Sequence, residues 1–333
     1  MLPSKLVATA PSVHLGAVHC TRYAGPTGAD SNPGSSGSPY RSVQLLVDGL
    51  HPGQTGCLLA GTYREDVTFR HSGAPGRPLT LASAPGGVAT VRGLLWVTGA
   101  ARNVTVRDLV LDGRSSSGQP SPQVNGDNAT FYEDDVTNDH TGICFVIGGS
   151  AATYGTPHHT TIARSRIHDC GRLPRTHFEH GIYVEHSRGA VIVDNAIYDN
   201  ADWGLHLFPD AQRSLVEFNV VDGNGDGVMI AGTDDMASSG NRILRNIFSN
   251  TTDDSGSSYG YHVTSFWGRR VGTGNVVAHN CFWNGRGGNV NIADGGFAVG
   301  DNRVANPRYV ARATGNFALR SGSPCAGDGP RGR

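Results

Sequence analysis

Two apolar positions five residues apart, with a polar residue between them, recur through the middle of the chain. Clear copies run from Ile192 to Ile197, from Val216 to Val221 and from Ile243 to Phe248. The polar residues of the copies are Asp108, Asp134, Ser165, Asn195, Asn219, Asn246 and Asn280, the first two belonging to weaker copies. In chain order they are separated by 26, 31, 30, 24, 27 and 34 residues. A period of this length is typical of a solenoid, in which each coil packs only on its neighbours.

A second short apolar segment, introduced by glycine, follows these polar residues. Five such segments begin at Gly142, Gly181, Gly204, Gly227 and Gly260. Their side chains alternate between the two faces, as those of a half-buried strand do. Asparagines at the same bend of successive coils can hydrogen-bond to one another, and asparagine tolerates the left-handed backbone that a sharp bend needs. We therefore interpret the repeated asparagines as scaffold.

Composition excludes several other classes of protein. Glycine and proline, 47 and 17 of 333 residues, form roughly a fifth of the chain against roughly an eighth on average. This surplus argues against a helical bundle, because an interior glycine costs about 1 kcal/mol of helix stability. A hydrophobic fraction of 38% and a net charge of -1 argue against disorder. A near-neutral chain has no strong positive electrostatic field that would attract a polyanion, and no apolar run reaches the roughly 18 residues that span a bilayer. We expect neither nucleic acid nor a membrane as partner.

Six cysteines, an even number, permit disulfides outside the cytosol. Cys20 and Cys57 flank the first β-like segments, so we expect them to pair. We interpret Cys144 and Cys170 as buried thiols rather than as members of a disulfide.

Both ends of the chain carry further recognisable segments. Tyr23 to Gly34, Leu59 to Tyr63 and Pro78 to Ser83 stand at the front, and Ala305 to Tyr309 and Asn316 to Pro324 at the close. Together with the repeats, they make nearly the whole chain resemble the right-handed parallel β-helix superfamily, the pectate-lyase-like fold. The resemblance implies an all-β, single-stranded right-handed parallel β-helix. Since secreted polysaccharide-degrading enzymes dominate what is known of that superfamily, it also implies an extracellular protein with a polysaccharide substrate.

We expect residues 1–333 to form one domain of about nine or ten coils, and the protein to be a monomer. About 1–100 would form the N-terminal cap and first coils, about 101–300 the regular coils, and about 301–333 a closing segment. Such caps keep the open sheet ends from pairing with another chain.

Outward side chains of stacked coils form columns, because neighbouring strands lie about 4.8 Å apart. The glycine-led segments predict three columns, which read Cys144, Tyr183, His206, Met229, His262; Thr141, His180, Trp203, Asp226, Tyr259; and Val146, Glu185, Phe208, Ala231, Thr264. Aromatic rings beside titratable groups suit a sugar-binding groove, since rings stack on pyranose faces and carboxylates bind hydroxyls. The alternative is a packing surface covered by a loop.

The longest insertion before one of these segments is residues 172–180, and loops on a rigid scaffold usually carry substrate contacts. We predict substrate-binding roles for Trp203, His177, Glu179, Arg175, Arg172, Arg188, Tyr259 and His262. No cofactor or metal ligand is assigned, although the pair Asp253 and Asp254 could bind Ca²⁺ through its oxygens. Such pairs are more commonly solvated turns.

The leading mechanism is β-elimination on an acidic, uronic-acid glycan. A lysine base, which several β-helix lyase families use, is excluded because the chain has a single lysine, Lys5, far outside the repeats. Tyr183 and His206 fall one coil apart and could share the acid–base work, since the ordinary pKa of histidine is about 6.5. An arginine would bind the substrate carboxylate through two hydrogen bonds. An epimerase would use the same proton abstraction.

Glycoside hydrolysis is the close alternative, and it needs two carboxylates roughly 5 Å apart for retention or 6.5–9.5 Å apart for inversion. Glu179, Glu185, Asp202 and Asp226 are the candidates, although the ordered signatures of polygalacturonases are missing. A non-catalytic adhesin or glycan-binding β-helix is the third possibility. Across these alternatives, the predicted catalytic residues are Tyr183, His206, His180, Glu185, Asp226 and Asp202. We expect the side chain of His206 to point outward and to contribute little to stability.

Overall fold

The chain winds into a parallel β-solenoid of about nine coils, which confirms the prediction of an all-β fold with about nine or ten coils. The structure, a computed structural model, describes residues 12–149, 151–266, 268, 271–292 and 295–331, so Lys5 lies outside the described residues. Within them the strands form parallel sheets of 11, 9 and 10 strands, here named sheets A, B and C. Successive strands visit sheets A, C and B in turn, so that one strand from each sheet makes a coil.

The strands are short and stack in register. Sheet A contains β1 (Arg22–Ala24), β2 (Thr55–Leu58), β5 (Leu79–Ser83), β8 (Val104–Arg107), β11 (Thr130–Tyr132), β14 (Thr161–Ala163), β17 (Val191–Val193), β20 (Leu215–Glu217), β23 (Arg242–Leu244), β26 (Asn275–Ala278) and β29 (Phe297–Gly300). Sheet C contains β3 (Gly61–Arg64), β6 (Ala89–Arg92), β9 (Leu109–Asp112), β12 (Asp135–Thr137), β15 (Arg166–His168), β18 (Ala196–Tyr198), β21 (Val220–Asp222), β24 (Ile247–Ser249), β27 (Cys281–Trp283) and β30 (Arg303–Val304). Sheet B contains β4 (Val67–Phe69), β7 (Leu95–Val97), β10 (Gln123–Val124), β13 (Phe145–Ile147), β16 (Ile182–Arg188), β19 (Trp203–Gln212), β22 (Asp226–Ile230), β25 (Tyr261–Thr264) and β28 (Gly288–Asn291).

Inward side chains of the three sheets form one apolar interior. In sheet A, for example, Phe131, Ile162, Ile192, Val216 and Ile243 lie on paired positions of successive strands and are fully buried. Burying such stacks stabilises the solenoid by roughly 25 cal/mol per Å² of apolar surface removed from water. The repeated apolar pairs of the sequence are therefore the interior of the coil.

The asparagines form a hydrogen-bonded ladder at the bend from sheet A to sheet C, which confirms their role as scaffold. The Nδ2 atoms of Asn195, Asn219 and Asn246 each donate to the Oδ1 atom of the asparagine in the next coil, at 3.0, 2.9 and 3.0 Å. The left-handed residue, however, is the one before the asparagine, as at Asp194 and Phe218 with φ of 58° and 57°. The asparagine must point its amide into the coil, so its predecessor makes the turn.

The same geometry corrects the first weak copy of the repeat. Asp134 Oδ1 accepts a hydrogen bond from Leu109 N at 3.0 Å, so Leu109 holds the ladder position of that coil. Asp108 is instead the left-handed residue before it, with φ of 58°.

Short elements close the two ends of the stack. Helix α1 (Val43–Asp48) is capped by Ser42 and buries Val43, Leu46 and Val47 against the first coils. A second short helix, α2 (Ala151–Tyr154), precedes β14. At the other end, β31 (Tyr309–Ala311) and β32 (Asn316–Leu319) form an antiparallel pair, with a 3-10 turn at Arg312–Thr314 between them.

Three disulfides join neighbouring parts of the stack. Cys20 pairs with Cys57, as predicted. Cys144 pairs with Cys170 and Cys281 with Cys325, so the interpretation of Cys144 and Cys170 as thiols was wrong. The Cα atoms of Cys144 and Cys170 lie 5.6 Å apart at adjacent bends, within the usual reach of a disulfide, although the two residues are 26 positions apart in sequence. Among the helices described, none is long and apolar enough to traverse a bilayer.

Candidate functional site

The outer side of sheet B carries the predicted columns, with one change of register. Tyr183 pairs with His206, and His206 with Met229, as the sequence predicts. Beyond this centre the column contains Val146 and Thr264, where the sequence pattern predicts Cys144 and His262. The outer segments were aligned two residues out of register, because their glycines do not lie at the same distance from the strand.

His262 is a core residue, so its predicted substrate-binding role is wrong. Its ring is fully buried and stacks on Phe282 with ring centres 5.6 Å apart. Nε2 lies 3.1 Å from the carbonyl oxygen of Trp283. Burial lowers the pKa of His262 to about 3 despite that hydrogen bond. The imidazole is a neutral packing group.

An aromatic cluster surrounds His206; we use this name for His180, Tyr183, Trp203, His206 and Phe208. The rings of Tyr183 and Phe208 each stack on His206, with centres 5.3 and 5.2 Å away. His206 Nδ1 lies 3.0 Å from His180 Nε2, and the two rings are nearly perpendicular. Trp203 packs 5.1 Å from His206. The structure thus brings four predicted site residues, His180, Tyr183, Trp203 and His206, into contact.

Burial determines the protonation of this cluster. His206 lies on the outer side of the sheet but is only 4% exposed, so from this burial we expect its replacement to cost stability. Burial lowers the pKa of His206 to about 3 and, with His206 beside it, the pKa of His180 as well. Both imidazoles are neutral at pH 7, and one N–H is shared between them. Burial, and then the charge of Glu185, raise the pKa of Tyr183.

A carboxylate cluster lies beside the aromatic one; we use this name for Asp202, Asp226 and Asp253. Asp226 N donates to Asp202 O at 3.1 Å, and Asp253 N to Gly225 O at 3.0 Å, so the three residues stand at the same bend in successive coils. Each is about 1% exposed. Within the described residues, Asp202 Oδ1, Asp226 Oδ2 and Asp253 Oδ2 are buried without a hydrogen-bond partner.

The remaining carboxylate oxygens are held by backbone N–H groups. Asp226 Oδ1 accepts from Gly260 N at 2.6 Å and from Tyr261 N at 3.0 Å. Asp202 Oδ2 accepts from Glu179 N at 2.9 Å. These bonds fix the direction of each carboxyl group and leave its second oxygen available.

The charge state of the carboxylate cluster is unusual. Burial, and then the neighbouring charge of Asp253, raise the pKa of Asp226 to about 8. Burial also raises the pKa of Asp202. The pKa of Tyr259 is raised by burial and by all three carboxylates, which places the phenol beside them. At neutral pH the cluster therefore contains a protonated carboxyl group, the form that a general acid requires.

The 172–180 loop covers the carboxylate cluster. Arg175 Nε donates to Ala201 O at 2.6 Å, and its Nη2 donates to the hydroxyl of Thr252. His177 Nδ1 lies 3.3 Å from Asp253 Oδ2, an ion-pair distance without hydrogen-bond geometry. The loop is thus attached to the coil that contains Asp253. Its tip exposes Phe178, which is 62% accessible to solvent.

The predicted carboxylate-binding arginines are all engaged by the protein itself. Arg172 pairs with Glu179, whose Oε2 also accepts the Arg172 backbone N–H at 2.6 Å. Arg188 Nη2 lies 2.7 Å from Asp210 Oδ2. Arg175 holds the 172–180 loop in place. Glu185, half-buried beside His186, has a pKa raised by burial.

The sequence indicates Asp253 only as half of an acidic pair, and the structure separates that pair. Asp253 lies beneath the 172–180 loop, whereas Asp254 is exposed and lies 3.2 Å from Arg286 Nη2. Over the described residues, no group of three or more His, Cys, Asp and Glu side chains has the arrangement of a metal site. The sequence signal that could have identified Asp253 is its position seven residues before Gly260, but the loop between them hides the equivalence with Asp226.

Cavities open elsewhere on the surface. One of ≈ 640 Å³ lies between sheet C and the closing segment, a second of ≈ 430 Å³ lies at the bend after sheet C, and a third of ≈ 340 Å³ lies beside Glu133. In the described structure, the carboxylate cluster lines none of these three.

Known proteins share this architecture. Pectate lyase Pel9A superposes with a TM-score of 0.67 at 17% sequence identity, over 95% of this chain and 93% of that chain. The GH136 lacto-N-biosidase from Eubacterium ramulus gives a TM-score of 0.54 at 13% identity, over 86% of this chain and 67% of that chain. At these identities the likeness shows the fold alone.

A curated relative matches a short stretch. The uncharacterized protein YwoF of Bacillus subtilis (strain 168) is 34% identical over 58 residues, which cover 17% of this chain and 12% of YwoF. A family model described as the right handed beta helix region matches residues 123–306, more than half of the chain. With the parallel coils, the asparagine ladder and this match, the chain belongs to the right-handed β-helix family.

Proposed function

We propose that the protein is a carbohydrate-active enzyme that hydrolyses glycosidic bonds with its carboxylate cluster. The observation that carries the proposal is that Asp226 combines a pKa of about 8 with an unpartnered buried oxygen, one coil away from a second carboxyl group. Two proteins with the same fold are named as a pectate lyase and a lacto-N-biosidase, which supports a glycan as the substrate.

The cluster supplies both groups that glycoside hydrolysis needs. Asp226 gives its proton to the glycosidic oxygen as the bond from that oxygen to the anomeric carbon breaks. Asp202 or Asp253 acts as the second carboxylate, and water supplies the hydroxyl group of the new reducing end and returns a proton to the enzyme. Neighbouring coils are about 4.8 Å apart, close to the roughly 5 Å separation of carboxyl groups in retaining enzymes.

Substrate approaches the cluster from the side of the 172–180 loop. Tyr259 stacks on His177 with ring centres 4.2 Å apart, and Phe178 is exposed at the tip of the loop. In the proposal, the glycan displaces this tip and uses these rings as stacking surfaces. The loop is held by Arg175 and His177, and by the hydrogen bonds that Thr176 and Glu179 donate to Asp202.

β-Elimination has weaker support than hydrolysis. A histidine with a pKa of about 3 accepts a proton poorly, and Tyr183, with its raised pKa, has no cation among the described residues that would favour its ionised form. Arg172 and Arg188 already pair with Glu179 and Asp210, so a uronate carboxylate would have to share each arginine with an acidic side chain. The lyase mechanism is therefore the alternative outcome of the test.

The test is the variant Asp226→Asn on a panel of neutral and acidic polysaccharides. We expect wild-type protein to release reducing ends without unsaturated products, and the variant to lose about 100-fold or more of that rate, as general acids contribute 10²–10⁴-fold. The melting temperature should stay level or rise, because Asp226 is already protonated when folded. Activity should decline as the pH rises through about 8, where the acid loses its proton.

Asp254→Asn is the matched control, since Asp254 is exposed and lies outside the cluster. It should keep full activity. Products that absorb as unsaturated uronates would establish the lyase instead, and an Asp226→Asn variant with full activity would exclude this carboxylate as the acid. Absence of turnover on every polysaccharide would favour the third possibility, a non-catalytic adhesin or glycan-binding β-helix.

We also propose an extracellular location. The three disulfides support it, because such bonds form and persist in oxidising compartments. Cell fractionation of the source organism checks it, and protein confined to the cytosol with reduced cysteines would contradict it.

A further inference from the structure

The cavity of ≈ 430 Å³ lies where the closing segment meets the bend between sheets C and B. Three arginines line it, Arg308, Arg312 and Arg320, together with Trp283 and Asn250. None of its described lining residues is acidic. Guanidinium groups, an indole ring and an amide therefore share one concave surface outside the carboxylate cluster.

The protein fixes two of these guanidinium groups in place. Arg312 Nε donates to Asp222 Oδ2 at 2.6 Å, and this carboxylate is buried. Arg320 donates from Nε and Nη2 to the carbonyl oxygens of Tyr309 and Val310, both at 3.1 Å. Within the described residues these bonds use one nitrogen of Arg312 and two of Arg320, and a guanidinium has five N–H donors. Donors therefore remain for a ligand.

The neighbouring polar groups are also held in position. Asn250 Nδ2 donates to Asp222 Oδ1 at 2.7 Å, so Asp222 orients both Asn250 and Arg312. The hydroxyl of Tyr309 lies 2.8 Å from Ser249 Oγ. Two carboxylates, the buried Asp222 and Asp199 beside it, lie near Arg312, and against three arginines the cavity keeps a positive excess.

This combination matches the chemistry of an acidic sugar. Arginine binds a carboxylate through two parallel hydrogen bonds, and an indole offers a flat surface for a pyranose ring. We propose that this cavity is a second glycan-binding site, which takes a uronate residue of an acidic polysaccharide. The ligand is selected by its carboxylate, while the ring stacks on Trp283.

The second site lies close to the carboxylate cluster along the chain. Asn250 lines the cavity, and Asp253 follows three residues later, so their Cα atoms are at most about 11 Å apart. One glycan could therefore reach both places. Only this connection rests on the proposed function; the binding itself does not.

The test measures binding of oligosaccharides by calorimetry in the Asp226→Asn background, so that cleavage does not interfere. The probes are hexasaccharides of galacturonate and mannuronate, and the same galacturonate hexamer with all its carboxylates methyl-esterified. We expect an acidic hexamer to bind with an affinity that falls as salt rises, and the esterified hexamer to bind at least about tenfold more weakly. The double variant Arg308→Ala/Arg320→Ala should lose about tenfold or more in affinity, and Trp283→Ala about fivefold.

Arg70→Ala/Arg102→Ala is the matched control, because both arginines are exposed and lie in ion pairs on the first coils. It should bind as the background does. Arg312 is left unchanged, since it also neutralises Asp222.

The proposal is overturned if neither acidic hexamer binds, if the esterified hexamer binds equally well, or if the arginine variant keeps its affinity. These results are distinct from a failure of the proposed hydrolysis. If hydrolysis is wrong, wild-type protein shows no cleavage but the arginine-dependent binding persists. If the second site is wrong, cleavage persists and the arginine variant leaves binding unchanged.

Discussion

Asp134 holds a ladder position that asparagine holds in later coils. Its Oδ1 accepts from Leu109 N, while Oδ2 is buried with no hydrogen-bond partner among the described residues. In later coils the amide nitrogen donates at this point to a carbonyl of the preceding coil, as from Asn195 to Ile162 O at 2.9 Å. Burial raises the pKa of Asp134 well above its usual value, because a buried carboxylate loses the hydration that favours its charged form.

Asp134→Asn should therefore stabilise the protein at neutral pH. When the pKa of a carboxyl group is raised by folding, the protein loses stability as the pH rises from the unfolded pKa, about 3.9, through the folded pKa. The amide carries no such penalty and restores one hydrogen bond, worth about 1 kcal/mol. Thermal melts between pH 4 and pH 8 should show a gain that grows with pH and is smallest near pH 4.

Asp108→Asn serves as the control for that measurement. Asp108 is partly exposed, pairs with Arg107 and has a left-handed backbone that asparagine accepts. It should be neutral or slightly destabilising. A gain at position 134 that does not depend on pH would contradict the assigned protonation.

At the scale of the element, the bends hold the sheets together. Asn219 donates to the carbonyl oxygen of Ile192 at 2.8 Å and to Asn246 Oδ1 at 2.9 Å, and its Oδ1 accepts from Asn195 N at 3.0 Å. Similar bonds run through Asn200 and Asn224 at the bend after sheet C, and through Asn241 before sheet A. The ladders satisfy backbone groups that a tight bend would otherwise bury unpaired.

Asn219→Ala should cost at least about 3 kcal/mol, because it leaves donors and acceptors in two neighbouring coils unpaired at about 1–3 kcal/mol each. Urea unfolding followed by circular dichroism measures this loss. Asn316→Ala is the comparison, since Asn316 is exposed and accepts only the N–H of Ala318 at 3.1 Å among the contacts described. Equal losses in the two variants would show that the ladder adds nothing beyond a surface hydrogen bond.

At the scale of the whole molecule, each coil contacts its two neighbours, so stability is distributed along the stack. Disulfides reinforce both ends: Cys20–Cys57 joins the first strands, and Cys281–Cys325 joins β27 to the closing segment. The closing segment also buries Phe317 against Tyr198 and Val220 of sheet C. Disulfides therefore fix both ends, and in the middle the coils are held by stacking and by the single disulfide Cys144–Cys170.

Cys281→Ser/Cys325→Ser should loosen only the last coils. We expect a loss of about 2–4 kcal/mol and faster hydrogen exchange in β24, β27 and β30, with β5 and β8 unchanged. Cys20→Ser/Cys57→Ser should give a similar loss of stability, with faster hydrogen exchange in the first coils instead of the last. Exchange that accelerates equally in all coils would argue against nearest-neighbour coupling.

The sequence predicted the fold better than the site. Paired apolar positions and asparagines depend on backbone geometry that repeats in every coil, so they are visible as a period. The column through Tyr183, His206 and Met229 was predicted for the same reason. His262 was misplaced because the loop before its strand differs in length, so that Thr264 pairs with Met229 and the His262 ring packs on Phe282 instead.

Asp253 shows what the sequence could not supply. Its proximity to Asp226 depends on how the loop after Asn250 folds back. Its burial depends on the 172–180 loop, whose last residue precedes Asp253 by 73 positions in the sequence. The raised pKa of Asp226 follows from both, since dielectric environment and charge separation are properties of the folded chain.

The sequence by itself determined the solenoid, its interior and its asparagine bends, because local apolar periodicity specifies which side chains are buried when coils stack. Only the tertiary structure decided which residues form the candidate site. It joined three carboxylates from separate coils beneath one loop, engaged the predicted arginines elsewhere and made His206 a buried neutral ring. Those outcomes depend on loop packing and desolvation, which have no period that a sequence can display.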